Sequence, residues 1–475
     1  MKFLTSRSLA TVILLVSSCL SAQVQLADTP AAHQLSGWLA AFNSGDKATV
    51  LAFLQKNYPA RVKEVDGEMR FHEQTGGFDL KKAEECAAAK CAAILEERNS
   101  EQFARIEVEV DPAEPHVIKA VELRPIPRPA EFPIARMTEA GALKAFRAYL
   151  DQAAAADRFS GAALVAKNGK PIFTAVYGMA DRDKKIPNKL DTKFRIGSMN
   201  KMFTATAVLQ LVQAGKINLD DPLGKYLPDY PNKDVASKVT IHQLLTHTGG
   251  TGDFFGPEFD KHRLELRTLQ DYVKLYGERG LAFEPGSRWE YSNYGFLLLG
   301  LVVEKASGEN YYDYVREHIF KPAGMNSTGS LPEDQAVTER SVGYTKMNDA
   351  GELRSNVDTL PYRGTSAGGG YSTVEDLLAF ANALNNHTLL DAKHVDLLTT
   401  GKVETPQGPK YAYGFGDEIS ADGVRCFGHG GGAPGMNGDL KICPQSGYVI
   451  AVLANMDPMA AGHAADFIVA RLPKN

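Results

Sequence analysis

The sequence has little of several features that define whole classes of protein. Its 475 residues include five cysteines and two tryptophans. Neither Cys-x-x-Cys nor His-Glu-x-x-His occurs, so we expect no metal site and no other cofactor. No apolar run reaches the roughly 18 to 20 residues that a membrane-spanning helix needs. The 52 basic and 57 acidic side chains give a net charge of −5 without a basic stripe, which argues against nucleic acid as a partner.

The composition is that of an ordinary globular protein, with 44% hydrophobic and 23% charged residues. At roughly 100 to 200 residues per domain, the length predicts two or three domains. Four of the residues 125–133 are proline, a density unsuited to helix or central strand. We therefore predict a linker at 125–134 between a small domain at 28–124 and a larger one at 135–475.

The amino terminus has the residue order of a secretory signal. Lys2 and Arg7 precede an apolar run, 9–16, and small residues follow it. Residues 1–22 are therefore predicted to be a signal peptide, and the mature protein to be periplasmic or secreted from a bacterium. Cys19 leaves two alternatives: it carries a lipid anchor within a loose lipoprotein box, or it is removed with the signal.

Four cysteines follow the predicted signal, an even number that suits an oxidising compartment. A Cys86–Cys91 bond would close a tight local loop. A Cys426–Cys443 bond would join two neighbouring strands across a glycine-rich turn. The alternatives are at least one such disulfide or four buried free thiols.

The small domain is predicted to be α+β. Apolar residues recur at helical spacing in 35–42 and again in 50–54, on either side of a polar break. Alternation in 106–110 and the run 117–123 then predict strands. No catalytic constellation is present there, so the sequence does not assign this domain a role.

The larger domain is predicted to be α+β as well, with two lobes and a cleft between them. A helix at 137–156 precedes a hairpin of 161–166 and 172–177, whose Asn168-Gly169 turn is a strong signal. A long helix-rich stretch follows. Further strands are predicted near the carboxyl end of the sequence, and a last helix follows them. The predicted late strands are 411–415, 424–427, 437–443 and 448–454. One antiparallel sheet is thus built from both ends of the domain.

Ser198 and Lys201 form the candidate nucleophile and base. Three residues apart on a helix, their side chains share a face and can exchange a proton. The segment 202–212 is apolar nearly all the way round, which indicates a buried helix. Ser198 is therefore predicted to lie in the first turn of this helix, where the backbone amides favour developing negative charge. Burial of Lys201 would lower the pKa of its amine.

Two further motifs supply supporting groups. Tyr291 and Asn293 come just before the apolar run 296–302, so a buried helix would hold the phenol and the amide rigidly. His429-Gly430-Gly431-Gly432 ends a predicted strand. Its glycines allow a backbone amide to approach a ligand closely, as an oxyanion-hole donor must.

A rival hypothesis makes the protein an α/β-hydrolase. Gly364-Thr365-Ser366-Ala367-Gly368 spells a nucleophile elbow, and 429–432 spells a lipase oxyanion loop. The order of the two and the lack of strand–helix alternation count against this fold. Ser366 nevertheless stays the alternative nucleophile. A second rival, from another functional class, is a catalytically silent receptor for cell-wall peptides or β-lactams.

The three motifs, taken in order, resemble those of the serine β-lactamase and penicillin-binding protein superfamily. The likeness is to its class C β-lactamase, D-alanyl-D-alanine carboxypeptidase and esterase branch, over residues 135–472. It implies that Ser198 forms an acyl-enzyme while Lys201 and Tyr291 transfer protons. It also implies that Asn293 positions Lys201 or the substrate, and that the amides of Ser198 and Gly432 form the oxyanion hole.

One departure from the family pattern concerns His429. The third motif of β-lactamases usually begins with lysine, whereas a histidine is largely neutral near pH 7. The resemblance therefore implies a D-Ala peptidase, an aminopeptidase or an esterase more than an efficient β-lactamase. Its substrate would be a small molecule or peptide, and we expect activity to depend on the protonation of His429. A cone-shaped fold of the nuclear-transport-factor kind is the candidate for 28–124. The sequence leaves the oligomeric state open.

Overall fold

A computed structural model describes most of the chain. The described residues are 24–348, 351–406 and 408–474. The predicted signal peptide at 1–22 and the two alternatives for Cys19 lie outside them. The chain divides into two compact units between Arg128 and Pro129. None of the described helices is both long and apolar enough to cross a bilayer.

The first unit consists of three helices followed by a four-stranded antiparallel sheet. These elements are α1 (Pro30–Asn43), α2 (Lys47–Asn57), α3 (Val65–Thr75), β1 (Phe78–Cys86), β2 (Lys90–Glu97), β3 (Phe103–Val110) and β4 (Ile118–Ile126). The strands lie in the order β1-β2-β3-β4. Apolar side chains of the helices and of one sheet face form a common core. Pro125 belongs to β4, an edge strand where a missing N–H costs no ladder bond, so the predicted linker begins inside a strand.

The second unit has the strands of its main sheet near its two ends and a helix-rich stretch between them. Its helices are α4 (Glu139–Ala155), α5 (Asn200–Gln213), α6 (Leu223–Tyr226), α7 (Lys233–Lys238), α8 (Ile241–Leu245), α9 (Pro257–His262), α10 (Leu269–Tyr276), α11 (Asn293–Ser307), α12 (Tyr311–Val315), α13 (Lys321–Ala323), α14 (Val374–Asn385), α15 (Ala392–Thr399) and α16 (Ala460–Val469). Its strands are β5 (Gly161–Lys167), β6 (Lys170–Tyr177), β7 (Met179–Asp181), β8 (Ile186–Pro187), β9 (Phe194–Arg195), β10 (Tyr344–Thr345), β11 (Arg354–Ser355), β12 (Tyr371–Ser372), β13 (Lys410–Tyr411), β14 (Gly416–Ile419), β15 (Arg425–Ala433), β16 (Met436–Cys443) and β17 (Tyr448–Ala454).

One seven-stranded antiparallel sheet joins the two ends of this unit, in the order β13-β14-β15-β16-β17-β5-β6. The predicted α+β class and the split origin of the sheet are therefore confirmed. The predicted strand 411–415 is shortened to β13, because Gly414 adopts a positive φ of 71° and turns the chain into β14. Apolar side chains cover both faces of the sheet: α4 and α16 on one, and the helical lobe on the other.

Both cysteine pairs are disulfide-bonded in the structure. Cys86–Cys91 joins β1 to β2, and Cys426–Cys443 joins β15 to β16. The second bond therefore attaches the strand of the third sequence motif to the interior of the sheet.

Two buried helices position the first two motifs. Almost every side chain of α5 is buried, as is most of α11. Ser198 lies in a 3₁₀ turn, Gly197–Met199, directly before α5, not within the first α-helical turn as predicted. Asn293 is the first residue of α11, whose capping residue Ser292 accepts a hydrogen bond from the amide of Gly295 at 2.9 Å. Both motifs are thus fixed at helix amino termini.

Candidate active site

Ser198 and Lys201 meet at the amino-terminal end of α5. The lysine side chain has no solvent exposure, whereas Ser198 is partly exposed. Lys201 Nζ lies 3.1 Å from Ser198 Oγ, within hydrogen-bonding distance. A solvent-accessible hydroxyl therefore touches a fully buried amine, as the sequence predicts.

Two carbonyl oxygens complete the surroundings of the amine. Lys201 Nζ donates to Asn293 Oδ1 at 2.7 Å and to the backbone oxygen of Ala367 at 2.5 Å. Neither oxygen can donate. A neutral amine has two N–H groups and one lone pair, so these two acceptors take both N–H groups and leave the lone pair for the Ser198 hydroxyl. This is the arrangement that a general base needs.

Burial adjusts the protonation of that amine. Desolvation disfavours the charged form and lowers the pKa of Lys201 to about 7, while the charge of Asp253 acts in the opposite direction. The amine is therefore neutral, and able to accept a proton, above about pH 7.

Tyr291 lies against the same amine. Its ring centroid is 4.6 Å from Lys201 Nζ, and its hydroxyl lies close enough to the Ser198 side chain for the two groups to interact. Burial raises the pKa of the phenol well above its ordinary value, so Tyr291 keeps its proton near neutral pH. It can pass a proton on, but it is a poorer resting base than Lys201.

Asp253 orients the amide of Asn293. Its Oδ2 accepts from Asn293 Nδ2 at 2.8 Å and from the Asn293 backbone N–H at 3.2 Å. With Nδ2 occupied, Oδ1 points at Lys201. Sequence reasoning missed Asp253, because a single acid after a glycine-rich loop matches no catalytic pattern. The signal that was available is its place at the end of the run 249–252, rich in glycine and threonine.

The glycines of β15 pass very close to the turn that carries Ser198. A Cβ on Gly431 would lie 1.9 Å from the Ile196 carbonyl oxygen, and one on Gly197 would lie 3.0 Å from the Gly432 nitrogen. Gly197 also has a φ of 52°, which glycine adopts without strain. The backbone amide of Gly432 therefore lies beside Ser198, where the sequence predicts an oxyanion-hole donor.

His429 lies at the edge of the site and is neutral. Tyr411, which sequence reasoning did not select as a site residue, has its hydroxyl 3.1 Å from His429 Nε2. His429 Nδ1 contacts the Gly430 carbonyl oxygen. A carbonyl only accepts, so Nδ1 carries the proton and Nε2 accepts from Tyr411. Burial and the nearby Lys201 charge lower the pKa of His429 to about 4. A dependence of activity on the protonation of His429 is therefore expected only in acidic solution, near pH 4.

Ser366, the rival nucleophile, is closed off from solvent. Its side chain has no exposure, and its Oγ donates to the Leu297 carbonyl oxygen at 3.4 Å. No histidine among the described residues is hydrogen-bonded to it. Ser366 packs against α11, and a substrate cannot reach its hydroxyl. The structure therefore argues against Ser366 as the nucleophile of an α/β-hydrolase.

A cavity of about 450 Å³ opens beside Tyr291 and His429. Its other lining side chains include Trp289, Tyr411, Glu418, Asp439 and Lys441. The end near Tyr291 is aromatic and the far end is charged. The cavity therefore has the size and the mixed lining of a small-molecule site.

The state of Lys201 predicts the pH dependence of any reaction on Ser198. A protonated amine has no lone pair, so kcat/KM should rise with pH through about 7. Asp253→Asn removes the negative charge that raises the pKa of Lys201, so the rising limb should move to lower pH by about 0.5 pH unit or more. Profiles measured from pH 5 to 9 test this. The exposed Asp260→Asn is the matched control, and a limb that moves equally in both variants contradicts the assignment.

The close approach of β15 predicts a strict need for glycine at one position. Gly431→Ala would place a methyl group against the Ile196 backbone, so β15 must move away from Ser198. Loss of one oxyanion donor typically costs about 100- to 1000-fold in turnover, and we expect a loss of that order in kcat. Gly280→Ala, which meets no atom within 4 Å, is the control. Near-normal kcat in the Gly431 variant would contradict the close contact.

Comparison with known proteins agrees with this architecture. The family model described as beta-lactamase matches residues 146–473. A penicillin-binding protein from Bacillus halodurans, of known structure, is 34% identical with a TM-score of 0.61, over 70% of this chain and 99% of that one.

Two further relatives are named for other activities. Esterase EstB from Burkholderia gladioli is 33% identical over 56% of this chain and 77% of the esterase. A D-stereospecific amidohydrolase from Streptomyces is 30% identical, with a TM-score of 0.58, over 69% of this chain and 97% of its own. The match to the family model covers well over half of the residues, and the chain belongs to the beta-lactamase family, within the serine β-lactamase and penicillin-binding protein superfamily.

Proposed function

We propose that the protein is an exported serine hydrolase that cleaves an ester or amide through an acyl-enzyme on Ser198. The observation that carries the proposal is the buried Lys201 Nζ, which lies within hydrogen-bonding distance of two carbonyl oxygens and of Ser198 Oγ. In the neutral amine the two carbonyl oxygens accept both N–H groups, so the lone pair is left for the Ser198 hydroxyl. The penicillin-binding, esterase and amidohydrolase relatives support a hydrolase in general.

In the proposed acylation step, Ser198 Oγ forms a bond to the substrate carbonyl carbon while its proton passes to Lys201. The amides of Ser198 and Gly432 stabilise the negative oxygen of the tetrahedral intermediate. The bond to the leaving amine or alcohol then breaks. Tyr291 donates a proton to the leaving group and is reprotonated by Lys201. Deacylation repeats the sequence with water as the nucleophile and Ser198 as the leaving group.

The substrate class follows from charge. His429 is neutral above about pH 4, so it offers no permanent cation to a substrate carboxylate. At the far end of the cavity, Lys441 already pairs with Glu418 at 3.2 Å and Asp466 at 3.1 Å. Asp439 lies beside it, and burial raises the pKa of its carboxyl to about 7, so that this acid is only partly charged near neutral pH. Lys441 is already paired with acids and therefore offers no free cation at this end. We therefore favour a neutral or amine-bearing ester or amide over a carboxylate-terminated peptide.

Ser198 and Ser366 give the direct test of the nucleophile. Ser198→Ala should lower hydrolysis of p-nitrophenyl acetate by about 1000-fold or more and abolish labelling by a fluorophosphonate probe. Ser366→Ala, which empties a small buried volume, should keep the labelling and most of the activity. If Ser366→Ala abolished labelling and activity while Ser198→Ala kept them, Ser366 would be the nucleophile. Failure of the purified wild type to react with any serine-directed probe or penicillin would favour the silent receptor.

A matched set of activated esters tests the substrate class. An acetyl or amino-terminated p-nitrophenyl ester should exceed a carboxylate-terminated ester of equal length in kcat/KM by about tenfold or more, because the cavity offers no free cation to the carboxylate. A tenfold ratio corresponds to about 1.4 kcal/mol. His429→Lys should narrow that ratio by adding a cation. A preference for the carboxylate in the wild type would instead point to a D-alanyl-D-alanine peptide.

A further inference from the structure

His247 follows α8 and is one of the most enclosed polar residues of the second unit, with 1% of its surface exposed. It adopts a φ of 60°, a left-handed conformation that few residues other than glycine adopt, although histidine does so more often than most. The proton-transfer steps proposed above do not use it. Its contacts nevertheless converge on one neighbour, Tyr291.

His247 holds the backbone on both sides of Tyr291. Its carbonyl oxygen accepts from the Glu290 amide at 3.0 Å, and its Nδ1 accepts from the Ser292 amide at 3.1 Å. One residue thus satisfies the N–H groups immediately before and immediately after the tyrosine. Ser292 is buried, and a buried amide is costly to leave unpaired, so this pairing helps to fix the path of the segment.

The imidazole also packs on the Tyr291 ring. The two ring centroids are 4.4 Å apart, and the same imidazole lies 4.6 Å from the Tyr411 ring and 5.0 Å from the Phe296 ring. Tyr411 in turn contacts His429. The imidazole therefore lies between the phenol of the second motif and the tyrosine that holds the third.

The hydrogen bonds fix the imidazole in one neutral form. Because Nδ1 accepts from an amide, the proton is on Nε2, which has no hydrogen-bond partner among the described residues. The titratable groups that face it are Lys201, His429, Tyr291 and Tyr411. Burial, and after it the charge of Lys201, lowers the pKa of His247 well below its ordinary value.

We propose that His247 is a positioning residue for Tyr291: it clamps the backbone on both sides of the tyrosine and packs against its ring, so that the phenol hydroxyl stays on Ser198 during proton transfer. This inference rests on the proposed function, because it assigns the residue to the same reaction. The hydrogen bonds of His247 described above go to the segment that carries Tyr291 and not to Ser198.

Two variants separate the two kinds of contact. His247→Asn keeps an acceptor near the position of Nδ1 and tolerates the left-handed backbone, but loses the ring. His247→Phe keeps a ring and loses the acceptor, which leaves the Ser292 amide unpaired. A displacement of about 1 Å near reacting groups can cost on the order of 100-fold. We expect His247→Phe to lower kcat by about 10- to 100-fold with little change in KM, and His247→Asn to recover much of that loss.

His242, which lies in α8 five residues before His247, provides the matched control. Its Nδ1 contacts the Tyr413 hydroxyl at 2.8 Å, away from the second motif. His242→Phe should leave kcat within about threefold, while its melting temperature shows what losing a histidine contact near α8 costs in stability. If the His242 and His247 variants lose activity in proportion to melting temperature, the role of His247 is only structural and the proposal is overturned.

A double-mutant cycle with Tyr291→Phe completes the test. When the phenol hydroxyl is absent, there is nothing left for His247 to position, so His247→Phe should cost less than about threefold in that background. An equal cost in both backgrounds would overturn the proposal. Labelling of Ser198 by the fluorophosphonate probe distinguishes the two failures. A wild type that hydrolyses esters independently of Ser198 refutes the proposed function, whereas dependence on Ser198 with a normal His247→Phe variant refutes only this inference.

Discussion

The burial of one amine against two fixed carbonyl oxygens is the interaction on which the candidate site depends. Lys201 is buried in α5, and this burial lowers the pKa of its amine. Its N–H groups are then directed by Asn293 and by the Ala367 backbone. These acceptors come from the start of α11 and from a loop before β12. The helical lobe therefore has to pack correctly before the lone pair can face Ser198.

A second constraint joins the helical lobe to the sheet. Strand β15 approaches the turn before α5 so closely that two glycines, Gly197 and Gly431, are needed where the backbones meet. The Cys426–Cys443 bond and the antiparallel pairing with β16 hold this strand in place from the other side. The amide of Gly432, the proposed oxyanion donor, is thus positioned by the sheet, while the proposed nucleophile and base are positioned at the start of a helix. Catalytic groups on rigid elements of this kind need little reorganisation during a reaction.

The sequence alone could predict the α+β class, the split sheet and the grouping of Ser198, Lys201 and Tyr291, because their spacing and the apolar helices beside them are local patterns. It could not reveal Asp253 or Ala367. One is a single acid in a loop, and the other contributes only a backbone oxygen. Strand β1 was missed because FDLKKAEEC carries charge along much of its length and its register is interrupted by bulges. Contacts that form only after folding leave no local signature.

Two adjacent glycines of β15 differ in what they tolerate. A Cβ on Gly431 would overlap the Ile196 backbone, but one on Gly430 would meet Asp439 Oδ2 and the Gly438 oxygen at an ordinary 3.6 Å. Gly430 also lines the cavity, whose far end contains Asp439. A small side chain at position 430 would therefore reduce the depth of the cavity, while the close contact between β15 and the turn that carries Ser198 would stay as it is.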